Sequence, residues 1–317
     1  MNFHIEQAVL AGINKILAQE QLSSEMKSMI EASLNADCET GERFKWAHLT
    51  LMCCECVGGE FETGLPGAIA MELAALAADI FDDIQDQDND ELPWRQIPTE
   101  NALNLAICLS MLGYHALVVL SEDKDKNFLE KIGPILSKMW ITASDGQYQE
   151  ILFDTREQIS LDQYFELVKR KSGSLTACAC KIGATLGGAS ESLVLQLEQF
   201  GTSLGIMSQI RNDLHDFLHF EKKNDFIKNK KTLPYVYLLN VLKGTTAEKF
   251  KELTKGLKEF GDEEQNYLRQ LAVDEGAIHY CRVMYEMFRE KSWENIRTLP
   301  VPEKQKEKMI RLVEPNV

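Results

Sequence analysis

The sequence is short of positive charge. Its 317 residues carry 34 Lys and Arg against 49 Asp and Glu, a net charge of −15 at pH 7. No basic stripe runs along it, which excludes the surface a nucleic-acid binder needs. An anionic ligand would need a local basic cluster to overcome the field of the whole protein. Also missing are alternating apolar–polar runs of strand type, a linker long enough to separate domains, and any low-complexity segment. Hydrophobic residues make up 44% and charged ones 26%, ordinary for a globular protein, and the length supports one large domain or two ordinary ones.

The opening MNFHIEQAVL has neither a basic start nor a long apolar stretch. No secretory signal is therefore expected, and a reduced cytoplasmic interior is the expected home of the eight cysteines. Cys53 and Cys56 form a C-x-x-C, but no second pair of similar spacing completes a zinc set. Within LTLMCCECVGG they read as small core thiols. Residues 101–121 carry no charge with His115 neutral, and that length can span a bilayer. Asn101, Asn104, Ser110, Gly113 and His115 dilute it, and no comparable second span is apparent. The reading is a helix buried on all sides in a bundle, with no membrane span.

What the sequence does have is helical periodicity. Apolar residues recur near every 3.6 positions over 4–35, 43–58, 65–87, 99–120, 127–151, 161–186, 191–219, 231–243, 246–258, 262–274, 276–297 and 302–313. Breakers such as GGEFETGLPG, SEDKDKN, GGASES and KGTTAE separate them. This predicts a single all-α domain over 1–317, of ten or more helices.

Two acidic stripes interrupt the pattern. Residues at i, i+3, i+4 and i+7 share one helix face. Asp79, Asp82, Asp83 and Asp86 have that spacing, and so do Gln209, Asn212, Asp213 and Asp216. A solvated face is the ordinary explanation of an acidic run, and it suits the tail Asp86–Glu91. It suits the stripes less well, because like charges at i,i+4 destabilise a helix and no Lys or Arg occurs between 71 and 94 to relieve them. Carboxylates crowded without cations point to a cation from outside. Hard oxygen ligands with solvent access suit Mg²⁺, which typically bridges to a substrate phosphate. His215 and His219 have the i,i+4 spacing of many zinc helices, but no H-E-x-x-H pattern accompanies them.

A D-D-x-x-D on one helix, an N-D-x-x-D on a later one, and an all-α chain of this length resemble the class I isoprenyl diphosphate synthases. Four further segments carry the resemblance, in the family's order. ETGERFKWAHLTLMCCECVGG (39–59) is similar to its early G-K-R-x-R-P helix. DGQYQEI (145–151) resembles its Gly-Gln segment, with Gly146 and Gln147. VKRKSGSL (168–175) resembles its Lys-Thr segment, with Lys171 and Ser172. DFIKNKKTLP (225–234) resembles its D-L-x-x-G-K-x-T-L-P, with Lys230 in the lysine position. The resemblance implies an isoprenoid-synthase bundle around a central prenyl pocket, two or three Mg²⁺ ions and an allylic prenyl diphosphate as substrate. It further implies metal ligands Asp82, Asp83 and Asp86 on one wall and Asn212, Asp213 and Asp216 on the other. Gln209 and Gln147 would assist, Lys171 and Lys230 would clamp the leaving diphosphate, and Asp79 would stand behind the first set. Small residues one turn before the first motif, Ala77 and Ala78, imply a deep pocket suited to farnesyl or longer, though both could instead pack on a neighbouring helix. The family also implies a homodimer.

The departures matter as much. In place of G-K-R-x-R-P stands Gly41-Glu42-Arg43-Phe44-Lys45-Trp46, and in place of Arg-Arg-Gly stands Trp94-Arg95-Gln96. In the family those basic residues grip isopentenyl diphosphate, so Arg43, Lys45 and Arg95 are what remains of the acceptor site. This pattern resembles the branch that prenylates a tryptophan of a competence pheromone peptide, which implies a short tryptophan-containing peptide as partner. Trp46 and Trp94 could stack on such an acceptor or belong to the core. Three rivals remain open: a chain-elongating synthase, a catalytically silent partner subunit, against which the full aspartate set argues, and a terpene cyclase.

Overall fold

The computed structural model describes residues 2–36, 43–120, 128–219, 230–254 and 261–314. Every regular element among them is helical. In order they are α1 (Asn2–Gln19), α2 (Ser24–Ala36), α3 (Lys45–Cys56), α4 (Phe61–Asp86), α5 (Thr99–Val119), α6 (Phe128–Asp154) and α7 (Leu161–Val168). Then follow α8 (Ser174–Leu186), α9 (Glu191–Leu218), α10 (Leu233–Val241), α11 (Gly244–Leu253), α12 (Asp262–Asp274), α13 (Ala277–Thr298) and α14 (Glu303–Val313). A 3-10 turn, Pro93–Arg95, lies between α4 and α5, and a π-helical turn, Lys169–Gly173, joins α7 to α8. The all-α expectation holds.

Helix ends shift by a few residues in several places, the predicted 246–258 runs in part outside the described residues, and three differences have a local cause. The predicted helix 4–35 is two helices, because Ser23 accepts the backbone N–H of Met26 at 3.2 Å and starts α2 afresh. Helix α4 begins at Phe61 rather than 65 and runs through Pro66. The predicted helix 161–186 is broken by the π-turn, where one extra residue widens the coil. Apolar period cannot reveal the first or third, since the stripe continues across each break.

The chain divides into two compact units. The first comprises Met1–Trp140, Leu175–Gly201 and Leu299–Leu312, and the second Ile141–Ser174, Thr202–Thr298 and Val313–Val317. In the first unit α4 packs chiefly against α5 and α3. Its residues from Gly64 to Ala77 are buried almost without interruption, so the helix is apolar all round until its aspartates begin. Ile69, Met71, Leu73 and Ile80 are each 1% exposed or less, and each contributes about 1.5–3 kcal/mol of burial. Small residues set the spacing. A Cβ on Gly113 of α5 would lie 2.9 Å from the Ala70 carbonyl oxygen, so α5 approaches α4 at backbone distance.

Helices α4 and α5 are both long and apolar enough to cross a membrane by length and composition, with mean hydropathy of 1.5 and 1.8 over their most apolar windows. The sequence reading noticed only the second, because the aspartates closing α4 hid the run before them. Of these windows 78% is buried in α4 but only 50% in α5, so α5 is not buried on all sides as expected. Cys53, Cys54 and Cys56 are free and at most 1% exposed. Burial pushes the thiols of Cys54 and Cys56 up to about 11 and 12, which keeps them protonated and inert, as the core-thiol reading requires.

The second unit has two apolar clusters. Ile159, Tyr164, Leu167, Ile206, Ile210 and Val236 lead one, and Phe217, Tyr235, Leu238, Phe250 and Leu268 the other. Tyr164 and Tyr235 place phenolic hydroxyls inside these clusters, and both find acceptors.

The tightest helix contact in the first unit makes a test. A Cβ on Gly183 of α8 would collide with the carbonyl oxygen of Thr50 and lie 2.9 Å from Cys53 Cβ on α3. Backbone cannot yield as a side-chain tip can. Gly183→Ala should cost about 3 kcal/mol, read as a lower urea midpoint with unchanged slope.

Candidate metal and diphosphate site

The first aspartate stripe closes α4. Asp79 is exposed, Asp82 and Asp86 are half-buried, and Asp83 is only 7% exposed. One oxygen of Asp82 and one of Asp86 lie within 4.8 Å of each other, close enough for one cation to share. Asp83 differs. Trp94 Nε1 donates to one of its oxygens at 2.8 Å and Asn89 Nδ2 to the other at 2.6 Å. Burial pushes this carboxyl up to about 6, the two donors opposing the shift. The local chain is bent to make those bonds. Gln87 caps α4 in the left-handed conformation, φ 54°, and Asn89 repeats it, a conformation asparagine tolerates.

Trp94 is 4% exposed and its indole N–H is committed to Asp83, so it is an internal clamp and not a stacking surface. The acceptor-side cations also have internal partners. Arg95 pairs with Asp90 at 2.9 Å, Arg43 donates to Asn35 at 2.7 Å, and the Lys45 ammonium lies 5.7 Å from the centre of the Trp46 ring. Gly41 and Glu42 lie outside the described residues. Sequence reasoning missed Glu72, which is 3% exposed and accepts the Ala47 N–H at 2.8 Å. It caps α3, whose own N-terminal residue Phe44 offers no side-chain acceptor. A lone charge inside GAIAMELAALA was the available signal. Ala77 is fully buried and Ala78 half-buried.

The second stripe lies on α9. Asn212 is exposed, and the Asp216 side chain is 11% exposed with His215 Nδ1 at 3.1 Å. Asp213 is 3% exposed and is a hub. Tyr164 Oη donates to it at 2.6 Å, the backbone N–H of Leu233 at 2.7 Å, and Gln209 Nε2 at 2.8 Å. Gln209 in turn accepts from Ser172 Oγ at 2.6 Å. The hub therefore ties the π-turn carrying Lys171 and Ser172 to the segment Lys230–Leu233 that opens α10. Tyr164 is delivered by a capping box. Ser160 Oγ accepts the Gln163 N–H, and the Gln163 side chain accepts the Ser160 N–H. Burial, then the charge of Asp213, keeps the Tyr164 hydroxyl protonated and donating.

Lys171 is paired with Glu150 of α6, a partner the sequence did not suggest. Gly146 makes that approach possible, because a Cβ there would lie 2.9 Å from the Lys171 backbone nitrogen. Both amide atoms of Gln147 are buried without a hydrogen-bond partner among the described residues, a cost of about 1–3 kcal/mol that a bound ligand would offset. His215 and His219 stack at 4.3 Å, and each Nδ1 is engaged within α9. Of DFIKNKKTLP, residues 225–229 lie outside the described residues.

The Polyprenyl synthetase family profile matches residues 27–271. The chain belongs to that family. It is 30% identical over 168 residues to the tryptophan prenyltransferase ComQ of Bacillus spizizenii, a match covering 53% of this chain and 56% of that protein. It is 31% identical over 201 residues to the geranylgeranyl diphosphate synthase of Methanosarcina mazei, covering 61% of this chain and 62% of that protein. The chain thus spans less than two thirds of those relatives. With ComQ of Bacillus subtilis strain 168 the identity is 25% over 303 residues, 93% of each. A geranylgeranyl pyrophosphate synthase crystal structure superposes with a TM-score of 0.83 at 20% identity, covering 99% of this chain and 98% of that one, which shows the shared fold.

Asp82 and Asp86 fit the hard cation expected from the sequence: oxygen donors, half-buried, with no Lys or Arg from 71 to 94 to neutralise them. The hub makes a separate test. Tyr164→Phe removes one donor to a buried charge and should cost about 2 kcal/mol in urea unfolding. Because the ring stays in place and only its hydroxyl is lost, helix content by circular dichroism should be unchanged.

Proposed function

We propose that the protein is a Mg²⁺-dependent prenyltransferase that ionises an allylic diphosphate, farnesyl or similar, and passes the prenyl group to a tryptophan of a short peptide. Asp82 and Asp86 are the proposed metal ligands of the first stripe, and Asn212 and Asp216, which the resemblance of the second motif implies, are those of the second. Asp83 and Asp213 are proposed to hold those ligands and the lysine segments in place. Mg²⁺, when bound, would neutralise charge on the departing diphosphate. Lys171 and Lys230 would grip the same group as point charges, and Gln147 would gain hydrogen bonds from it. The C1–O bond breaks with its electron pair leaving on pyrophosphate. The indole ring supplies the pair for the new carbon–carbon bond, and one proton is lost.

The observation that carries the acceptor choice is the Trp94–Asp83 clamp. Where the resemblance implies an arginine gripping a second diphosphate, this chain buries an indole against an aspartate. Of the basic residues the resemblance implies for that site, Arg43, Lys45 and Arg95 remain. An uncharged indole acceptor needs no basic cluster in a protein of net charge −15. Chain elongation is the second reading, supported by 25% identity over 305 residues, 92% of this chain, to the geranylgeranyl diphosphate synthase of Saccharolobus solfataricus.

Farnesyl diphosphate should give a prenylated tryptophan-bearing peptide, seen by mass spectrometry, far faster than it is elongated with isopentenyl diphosphate. EDTA should abolish both the adduct and pyrophosphate release. Efficient elongation would replace this reading with the second, and activity indifferent to chelation would end the metal assignment.

We further propose a homodimer through α5. Leu103, Ile107, Met111 and Val118 lie along it at 37–57% exposure, at spacings that put them on one face of the helix. A second copy has the same stripe to offer, as a two-fold interface requires. Ile107→Asp should shift the mass measured by light scattering from dimer to monomer. A wild-type monomer would contradict the proposal.

A further inference from the structure

The second unit holds a cavity of about 230 Å³ that neither aspartate stripe nor the diphosphate lysines line. Its walls come from the end of α6, the start of α10 and the end of α11: Asp154, Arg156, Lys231, Tyr235, Lys251 and Thr254 among them. Lys231 is 7% exposed, and no hydrogen bond or ion pair of its ammonium occurs among the described residues. Its ammonium lies 4.6 Å from the centre of the Tyr235 ring, over its face. Tyr235 is 4% exposed and donates to Thr254 Oγ1 at 3.1 Å, so the wall beneath the ammonium is rigid.

A lysine buried to this degree ordinarily has an anion beside it, because removing an ammonium from water costs several kcal/mol. Burial lowers the pKa of this ammonium from the usual lysine range, and the nearby charge of Asp154 opposes that shift. Arg156 and Lys251 bring two more cations to the same space and Glu157 one more carboxylate, so that among the described residues the lining has one positive charge in excess, in an otherwise acidic protein. The volume equals roughly seven waters, enough for a phosphate or pyrophosphate ion.

We infer that this cavity is a binding site for a small phosphate-class oxyanion, with Lys231 as its buried anchor and Arg156 and Lys251 at its rim. Lys231 follows Lys230 directly in the chain, so an anion here would fix the segment that presents the diphosphate lysine. The inference does not rest on prenyl transfer, since it needs neither metal nor acceptor.

The test is made on the full chain in EDTA, which removes metal-dependent diphosphate binding. Inorganic phosphate, pyrophosphate and, at matched ionic strength, acetate are titrated while the thermal midpoint and the heat of binding are followed. Phosphate or pyrophosphate should raise the midpoint saturably and acetate should not. The better of the two identifies whether the solvent ion or the reaction product is the occupant. Lys231→Met should weaken binding at least about tenfold, the loss of one charge-assisted contact. Should that variant fold poorly, Lys251→Gln on the half-buried rim should weaken binding several-fold in a protein of wild-type stability. A wild type indifferent to both anions, or a response equal in the wild type and the variants, overturns the site.

Discussion

A buried carboxylate that accepts three hydrogen bonds among the described residues is the constraint on which the order of the second unit depends. Asp213 has taken its charge out of water, which is tolerable only while its donors stay in place. Each donor belongs to a different element. Tyr164 comes from α7, the Leu233 N–H from the first turn of α10, and Gln209 from α9 itself, carrying Ser172 of the π-turn behind it. Losing any of them leaves a buried charge short of a donor. The arrangement is thus stiff where it must be, between the two segments that carry Lys171 and Lys230.

The first unit repeats the device with different parts. Asp83 is buried one residue after Asp82, and its donors are an indole and an asparagine in a left-handed turn. In both motifs the middle aspartate turns inward while its neighbours at the outer positions keep solvent access. A helix forces this division. Residues one apart differ by about 100° around the axis, so adjacent aspartates cannot face the same way. One keeps partial access to solvent and the other anchors the turn.

Much of this was legible before any coordinates. The helical period recurs nearly everywhere, and the two stripes stand out because acid at i,i+4 without a cation is unfavourable unless something compensates. Gly146 was legible as part of a motif, but its clearance over the Lys171 nitrogen was not. The breaks at Ser23 and at the π-turn were missed because the apolar stripe runs on through both. Glu72 and Tyr164 were passed over because a single polar atom within an apolar segment carries no periodic signal. Trp94 was read as either surface or core, and only its partner decided between them.

By itself the sequence determined the all-α class and the two acidic stripes, which follow from period and residue type along one chain, while its motifs carried the resemblance that implied the family and the roles of Lys171 and Lys230. Which aspartates are spent on internal donors, which cations are already paired, and that Lys231 faces a cavity were decided by the tertiary structure. Those properties depend on atoms remote in sequence. Asp213 meets Tyr164 across 49 positions, Ala47 meets Glu72 across 25, and neither spacing leaves a trace in local pattern.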